Sequence, residues 1–167
     1  MNRAEHHEIA YESAGRERYR YSRQSRESFS ASSAREMSVG DFDGVIILLV
    51  EDDPISREAL ELIFVHYGAE VLSAESVRGA LQQFERQTPT LVVSDIGLPQ
   101  GDGYMLLRAI RSREQRDGGH VPAIAISGFP SRESGERARQ AGFDVFLHKP
   151  VETSELLKIA RALAAPI

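Results

Sequence analysis

From residue 43 onward, two hydrophobic patterns alternate five times along the chain. Short runs rich in β-branched and aliphatic residues predict strands, and stretches with apolar residues at helical spacing predict amphipathic helices. This alternation predicts an α/β fold with a parallel sheet, helices on both faces and right-handed crossovers. The predicted strands are 45–50, 69–73, 90–94, 121–126 and 143–148, and the predicted helices are 54–67, 76–87, 102–113, 131–141 and 153–164.

The residues at the ends of the predicted helices agree with this division. Short polar side chains that can cap a helix N-terminus precede three of the helices, and glycines follow two of them. The predicted N-caps are Asp53, Asp102 and Ser131, and the predicted stop positions are Gly68 and Gly142.

The first forty residues have a different composition from the rest of the chain. They carry seven arginines, six acidic residues and many serines, but few aliphatic residues. Such a segment cannot bury enough apolar area to offset the entropy lost on ordering. We therefore predict a disordered N-terminal extension over residues 1–40 and one globular domain over residues 43–165.

Composition and charge narrow the classes of partner. The chain has no cysteine, which excludes disulfides and thiolate metal sites, and its formal net charge of -5 does not favour direct binding of nucleic acid. The longest apolar run, residues 45–50, is far too short to cross a membrane. Residues 1–10 lack the apolar region of a signal peptide, so we expect a cytoplasmic protein without membrane contact.

Residues that can carry chemistry follow four of the predicted strands. They are the acidic run 51–53, then Asp95, Ser127 and Lys149, which is followed by Pro150. The carboxyl ends of parallel strands meet at one edge of a sheet, where ligands of open α/β sheets bind. A cluster of carboxylates with one hydroxyl and one ammonium group suits a divalent cation and a phosphoryl group.

Five short motifs in this order resemble the receiver domain of two-component response regulators. They are Leu-Val-Glu-Asp-Asp-Pro at 49–54, Ser-Asp-Ile-Gly-Leu-Pro at 94–99, Asp-Gly-Tyr at 102–104, Ile-Ser-Gly at 126–128 and His-Lys-Pro at 148–150. The resemblance covers essentially all of the predicted globular part. It implies a flavodoxin-like (βα)5 fold with strand order 2-1-3-4-5 and a site at the point where the strand order reverses.

The resemblance also implies a role for individual residues. Asp95 corresponds to the phosphoacceptor aspartate, and Lys149 to the lysine that pairs first with this aspartate and then with the phosphoryl oxygens. Ser127 corresponds to the serine or threonine whose hydroxyl turns toward the phosphoryl group. Phe146 stands at the aromatic switch position, although core packing alone would also explain a phenylalanine there. The bond before Pro150 is typically cis in this family, and X-Pro is the bond type that allows a cis form at low cost.

The acidic run has three residues for the two acidic positions of the family. The family places its acidic pair directly after the strand, which selects Glu51 and Asp52, while Asp53 before a proline suits a helix N-cap. Mg²⁺ prefers oxygen ligands and keeps several waters. We expect Asp52 and Asp95 to bind Mg²⁺ directly, Glu51 to act through water, and the backbone carbonyl of Gly97 to complete the site. The alternative, with Asp53 as the working acid, stays open.

The function implied by the resemblance is phosphoryl acceptance and signalling. The donor would be a phosphohistidine on a histidine kinase or histidine phosphotransfer protein, and the chain would catalyse only its own phosphorylation and dephosphorylation. The output would be phosphorylation-dependent binding of a downstream protein that the sequence does not identify, and a homodimer is left open. We expect Phe129, two residues after Ser127, to slow hydrolysis by shielding the site from water. His148 is expected to point away from Lys149 and to be structural.

Three other functions fit parts of the same sequence. The chain could be the receiver portion of a hybrid histidine kinase or an intermediate of a phosphorelay. A phosphatase or phosphotransferase of the haloacid-dehalogenase type also forms an aspartyl-phosphate, but it needs a second aspartate where this chain has Gly97. A receiver that works without phosphorylation is disfavoured by the complete acidic site.

Overall fold

Five strands and five helices alternate along the part of the chain that the structure, a computed structural model, describes: residues 36–128 and 132–165. The predicted tail before residue 36 therefore lies outside the described residues. The strands are β1 (Ile46–Val50), β2 (Glu70–Ala74), β3 (Leu91–Asp95), β4 (Ala123–Ser127) and β5 (Val145–His148). The helices are α1 (Pro54–His66), α2 (Val77–Arg86), α3 (Gly103–Asp117), α4 (Arg132–Ala141) and α5 (Thr153–Ala164).

The strands form one parallel sheet in the order β2-β1-β3-β4-β5. This order confirms the flavodoxin-like (βα)5 fold that the motifs implied. Each predicted strand and helix is present, with ends that differ by a few residues. The strands β4 and β5 begin two residues later than predicted, because Val121 and Phe143 are buried without pairing in the sheet.

The hydrophobic core has two layers, one on each face of the sheet. Alternate residues of a strand point to opposite faces, and Leu48 and Val92 face α2, α3 and α4, while Ile47 and Val93 face α1 and α5. All five residues of β3 and of β4 are buried. Helices therefore cover both faces of the central strands, and the polar site lies at the ends of these strands. Within the described ranges, no helix is long and apolar enough to span a membrane.

The caps predicted for two helices are formed. The carboxylate of Asp53 accepts a hydrogen bond from the backbone N–H of Ser56 at 2.8 Å, and that of Asp102 accepts one from Met105 at 2.8 Å. The third predicted N-cap, Ser131, lies outside the described residues. Gly68, with φ +101°, follows the end of α1 in a backbone conformation that L side chains rarely adopt, which explains why glycine stands there.

The folded unit begins before residue 43, the expected start of the globular domain. Phe42 is fully buried and packs edge-to-face on Phe64 of α1, with 5.7 Å between ring centroids. Its backbone N–H donates to the carbonyl of Tyr67 at 2.9 Å. Asp41 accepts a hydrogen bond from Arg161 of α5 at 3.2 Å. Residues 41–42 therefore pack against the layer formed by α1 and α5. So short a segment shows no periodic pattern from which this packing could be predicted.

Candidate functional site

The predicted site residues meet at the carboxyl edge of the sheet. Glu51 directly follows β1, Asp95 ends β3, Ser127 ends β4, and Lys149 directly follows β5. In the sheet, Asp95 is paired with Ile126, the neighbour of Ser127. Parallel pairing in register is therefore what brings together residues that are up to 98 positions apart in sequence.

Lys149 joins two buried carboxylates. Its ammonium nitrogen donates to Asp95 Oδ2 at 2.7 Å and to Glu51 Oε2 at 2.8 Å. The Glu51 and Asp95 side chains are 3% and 10% exposed, whereas that of Lys149 is 35% exposed. The lysine therefore reaches the carboxylates from the solvent side, where an incoming group could meet it.

Backbone N–H groups fix the orientation of both carboxylates. Asp95 Oδ1 accepts a hydrogen bond from the N–H of Gly97 at 2.8 Å, and Glu51 Oε1 accepts one from the N–H of Asp53 at 3.2 Å. Each carboxylate thus has one oxygen on the backbone and the other on Lys149. Because both ends of the carboxylate are held, rotation of the Asp95 side chain is restricted before any ligand arrives.

Burial and ion pairing shift the pKa values of this group. Burial raises the pKa of Glu51 above its usual value, and the hydrogen bonds from Lys149 and from the N–H of Asp53 offset only part of that effect. Burial alone would lower the pKa of Lys149, but its hydrogen bonds to Asp95 and Glu51 outweigh it, so the pKa is raised. Lys149 is therefore a positive charge at neutral pH.

Three carboxylates could hold a metal ion at this edge. Glu51, Asp52 and Asp95 each offer an oxygen, and these atoms lie within 4.8 Å of one another. Hard oxygen donors of this kind suit Mg²⁺, so the residues present fit the cofactor that the motifs implied. Both oxygens of Glu51 already accept hydrogen bonds, while the Asp52 side chain is exposed. Asp53 is engaged in capping α1, and its pKa is lowered by hydrogen bonds from Ser56.

A sequence model of the response regulator receiver domain matches residues 47–161, which is more than half of the chain and includes every residue of this site. The chain belongs to the response regulator receiver domain family. The matched residues cover the sheet except for Ile46 and extend to residue 161 within α5.

Relatives of this receiver domain occur in proteins of very different length. A 14.6 kDa protein from Leptolyngbya boryana is 37% identical over 69% of this chain and 86% of its own length. The response regulator FleR of Pseudomonas aeruginosa is 34% identical over 68% of this chain but only 23% of its own length. The sensor histidine kinase RcsC of Escherichia coli is 30% identical over 81% of this chain and 14% of its own length. The similarity to FleR and RcsC therefore concerns the receiver domain and not the activity of the whole proteins.

Solved structures show the same fold. A putative response regulator from Chloroflexus aurantiacus is 30% identical, with a TM-score of 0.65 over 72% of this chain and 98% of that one. A CheY-like receiver domain protein from Methanospirillum hungatei is 31% identical, with a TM-score of 0.63 over 71% of this chain and 93% of that one. In both comparisons, the receiver domain described here aligns with nearly the whole of the other chain.

The remaining predicted residues of the receiver lie around the same edge. Ser127 is buried, and its carbonyl accepts a hydrogen bond from the N–H of Lys149 at 2.8 Å. Phe146 is half-buried and packs against the core on the α2–α4 face. The peptide bond between Lys149 and Pro150 is cis. Phe129, for which we predicted an effect on hydrolysis, lies outside the described residues.

His148 lies on the less buried of the two faces of β5. Its side chain is half-buried, and its Nε2 atom is buried without a hydrogen-bond partner among the described residues. It shares the strand face of Phe146, two residues earlier. This placement agrees with its interpretation as a structural residue.

Two residues of the site were missed by the sequence reasoning. The Arg57 guanidinium donates to the backbone carbonyls of Glu51 and Asp52, and Gly103 lies against the backbone of Asp95. Gly103 is the central residue of the Asp-Gly-Tyr motif, and its close approach to Asp95 gives the physical reason for a glycine there. Arg57 is one of many arginines in the chain and carried no such signal.

Proposed function

We propose that this receiver accepts a phosphoryl group on Asp95 from a phosphohistidine of a histidine kinase or a histidine phosphotransfer protein. The observation that carries the proposal is the contact between Lys149 and Asp95 at 2.7 Å, at the open edge of the sheet and beside two more carboxylates. A carboxylate held in this way can serve as a nucleophile. The Asp95 side chain is 10% exposed, so the donor must approach along the sheet edge where Lys149 is reachable.

The transfer would be a direct displacement at phosphorus. A carboxylate oxygen of Asp95 forms a bond to phosphorus while the phosphorus–nitrogen bond of the phosphohistidine breaks. The imidazole leaves with the bonding electron pair and takes up a proton, and Asp95 becomes an acyl phosphate. Phosphoryl transfer depends mainly on positioning and on electrostatic stabilisation. In this site, Gly97 orients Asp95, and Lys149 shifts its hydrogen bond from the carboxylate to a phosphoryl oxygen.

A Mg²⁺ ion fits the proposed reaction. It would be held by Asp52, Asp95 and the backbone carbonyl of Gly97, with Glu51 acting through water, and when bound it would neutralise charge on the phosphoryl oxygens. Hydrolysis of the acyl phosphate by water returns Asp95 to its starting state. The receiver would thus catalyse only its own phosphorylation and dephosphorylation.

The output of the receiver would be phosphorylation-dependent binding of a protein in the cytoplasm. A phosphoryl group carries a charge of about −1.5 to −2 and replaces the single charge of the Asp95 carboxylate. It would lie next to Ser127, which ends β4, and Lys149, which lies between β5 and α5. Movement of both residues toward the phosphoryl group would shift a pre-existing equilibrium of the segment that carries Phe146. We leave the downstream protein and dimerisation of the phosphorylated form open.

A second arrangement is favoured by one observation. The sensor histidine kinase RcsC matches over 81% of this chain, a larger share than FleR matches. We therefore keep the alternative that this receiver is related to those of hybrid histidine kinases or works as a relay intermediate. The chemistry at Asp95 is the same in both arrangements.

Labelling with a small phosphodonor tests the proposal. With Mg²⁺ and acetyl phosphate, the wild-type chain should gain the mass of one phosphoryl group, measured by intact-mass spectrometry. Asp95→Asn should not gain it, because an amide is a poor nucleophile. Asp117→Asn, which changes an exposed aspartate at the end of α3, is the matched control and should label like the wild type. Equal labelling of Asp95→Asn and the wild type would contradict the assignment.

A further inference from the structure

Arg57 in the first turn of α1 contacts the loop that carries the acidic residues. Its Nη1 atom donates to the backbone carbonyl of Glu51 at 2.7 Å and to that of Asp52 at 3.2 Å. The Nη2 atom of the same guanidinium lies 3.9 Å from a carboxylate oxygen of Glu75, in the loop after β2. The Arg57 side chain is only 21% exposed, so these contacts hold it against the protein.

The contacts of Arg57 fix the backbone at two of the three carboxylates of the site, Glu51 and Asp52. The direction in which a side chain leaves the backbone depends on the peptide units on either side of it. One cationic group that binds the carbonyls of Glu51 and Asp52 therefore restricts the orientation of both side chains. Hydrogen bonds with a charged donor are stronger than those between neutral groups, so this restriction persists at a partly exposed loop.

We propose that Arg57 is a positioning residue for the divalent-cation site of this receiver. The inference rests on the proposed function, since that function is what requires a cation at Glu51, Asp52 and Asp95. Arg57 donates to carbonyls and, in the described contacts, to none of these three carboxylates. It thus holds the loop in place and leaves the carboxylate oxygens available to the cation.

Two effects of Arg57 on Mg²⁺ binding have opposite signs. Its positive charge repels a cation, so removal of the charge alone would tighten Mg²⁺ binding. Its hydrogen bonds preorganise the loop, so their removal would weaken Mg²⁺ binding, and loss of a group that supports metal ligands typically costs about 10–100-fold in affinity. The direction of the change in a neutral variant therefore decides between the two effects.

The surroundings of Arg57 supply a matched control. A cavity of about 370 Å³ beside α2 and the end of β2 is lined by Arg57, Ser76, Gln83 and Arg86, among others. Arg86 is an exposed arginine at the end of α2 and lines the same cavity as Arg57. Arg86→Met therefore removes the same charge from the same cavity without removing a described contact to the acidic loop.

The experiment is a Mg²⁺ titration of the full chain without a phosphodonor. Binding is followed by the amide NMR signals of residues 51–53 and 95–97. We expect Arg57→Met to bind Mg²⁺ about tenfold more weakly than the wild type. Arg57→Lys, which keeps the charge and one donor group, should lie between the two, and Arg86→Met should bind at least as tightly as the wild type. Thermal melts of each variant separate a change in affinity from a loss of folding.

Chemical rescue of Mg²⁺ affinity is a further test, because an additive that replaces the guanidinium should not restore affinity if Arg57 only stabilises the fold. Arg57→Ala leaves a space that opens to the cavity, so millimolar methylguanidinium should restore part of its Mg²⁺ affinity. The same additive should not restore Asp52→Ala, which lacks a ligand and not a hydrogen-bond donor. If Arg57→Met does not fold, the Mg²⁺ affinity of Arg57→Lys and the rescue of Arg57→Ala by methylguanidinium test the positioning role instead.

The outcomes separate this inference from the proposed function. Equal or tighter Mg²⁺ binding by Arg57→Met, with normal binding by the wild type, would overturn the positioning role alone. Absence of Mg²⁺ binding by the wild type would overturn the metal site and the role of Arg57 together. Labelling of Asp95 by acetyl phosphate is measured separately, and its failure would overturn the proposed function.

Discussion

A methyl group at Gly103 should displace the backbone of Asp95, the proposed phosphoacceptor. Gly103 is the first residue of α3 and is buried, and a Cβ atom there would lie 2.6 Å from the carbonyl oxygen of Asp95 and 2.9 Å from Cα of Ile96. Ordinary Cβ contacts begin at 3.4 Å, so the start of α3 and the end of β3 would have to separate by several tenths of an ångström. Both neighbours are backbone atoms, which cannot turn away as a flexible side chain could.

The cost of Gly103→Ala follows from two opposing contributions. Overpacking of a buried site costs about 1–3 kcal/mol, and the better helix propensity of alanine returns at most about 1 kcal/mol. We expect a net loss of about 1–2 kcal/mol in the free energy of unfolding, and a melting temperature lower by roughly 3–8 °C. The shift of Asp95 relative to Lys149 should also slow labelling by acetyl phosphate about tenfold, since misplacement of a reacting group by an ångström can cost more than that.

Thermal melts and the rate of labelling measured by intact mass test this expectation. Gly97→Ala is the matched control, because its Cβ would lie 3.6 Å from Asp95 Oδ1, which is an ordinary contact. The control serves the thermal melts, in which it should unfold close to the wild type because the added methyl group makes only an ordinary contact. A Gly103→Ala chain with the melting temperature and labelling rate of the wild type would refute the argument that the start of α3 packs directly on the backbone of Asp95.

Two further predictions concern the acidic run and the start of the fold. Asp52→Ala should weaken Mg²⁺ binding strongly because it removes a direct ligand. Asp53→Ala should instead lower the melting temperature because it removes the N-cap of α1. If metal titrations show that Asp53→Ala loses more Mg²⁺ affinity than Asp52→Ala, Asp53 is the metal-binding acid. A chain that starts at residue 36 should fold and label at Asp95 like the full chain, whereas Phe42→Ala in either chain should cost about 3–5 kcal/mol of stability. Failure of the shorter chain to fold in a denaturant titration would show that earlier residues belong to the folded unit.

The fold could be predicted because each element carries its own periodic signal. The strands lie between helices on both faces, so their residues form continuous apolar runs, and the helices show the spacing of one buried face. The ends of the strands were less predictable, because a run of buried residues can extend beyond the residues that form hydrogen bonds with a neighbouring strand. Val121, for example, is buried before β4, but its N–H donates to the side chain of Glu114 rather than to a neighbouring strand.

The site was predictable for a topological reason. In a parallel sheet, every strand ends at the same edge, so residues that follow apolar runs converge even when they are far apart in sequence. Glu51, Asp95 and Lys149 meet in this way. Phe42, Arg57 and Gly103 could not be found by the same reasoning, because their roles depend on contacts made after the chain has folded. A single aromatic residue, an arginine or a glycine has no period that would reveal its partner.

The charges of the site explain why it should respond to ligands. Lys149 contacts Glu51 and Asp95, and the carboxylate of Asp52 lies close to both. Three carboxylates and one ammonium group give the site a formal excess of two negative charges, and burial raises the pKa of Glu51. A divalent cation would cancel the excess. A phosphoryl group on Asp95 would then carry a charge of about −1.5 to −2 in place of the single charge of the carboxylate that it modifies. Binding of the cation and phosphorylation would each change the negative charges that lie next to the Lys149 ammonium group. Arg57 adds a positive charge nearby, but its guanidinium is directed at the carbonyls of Glu51 and Asp52 and, in the described contacts, pairs with none of the three carboxylates. On the proposed function, the loop is thus held by a charge that pairs with none of the site carboxylates, which leaves their oxygens available to a cation.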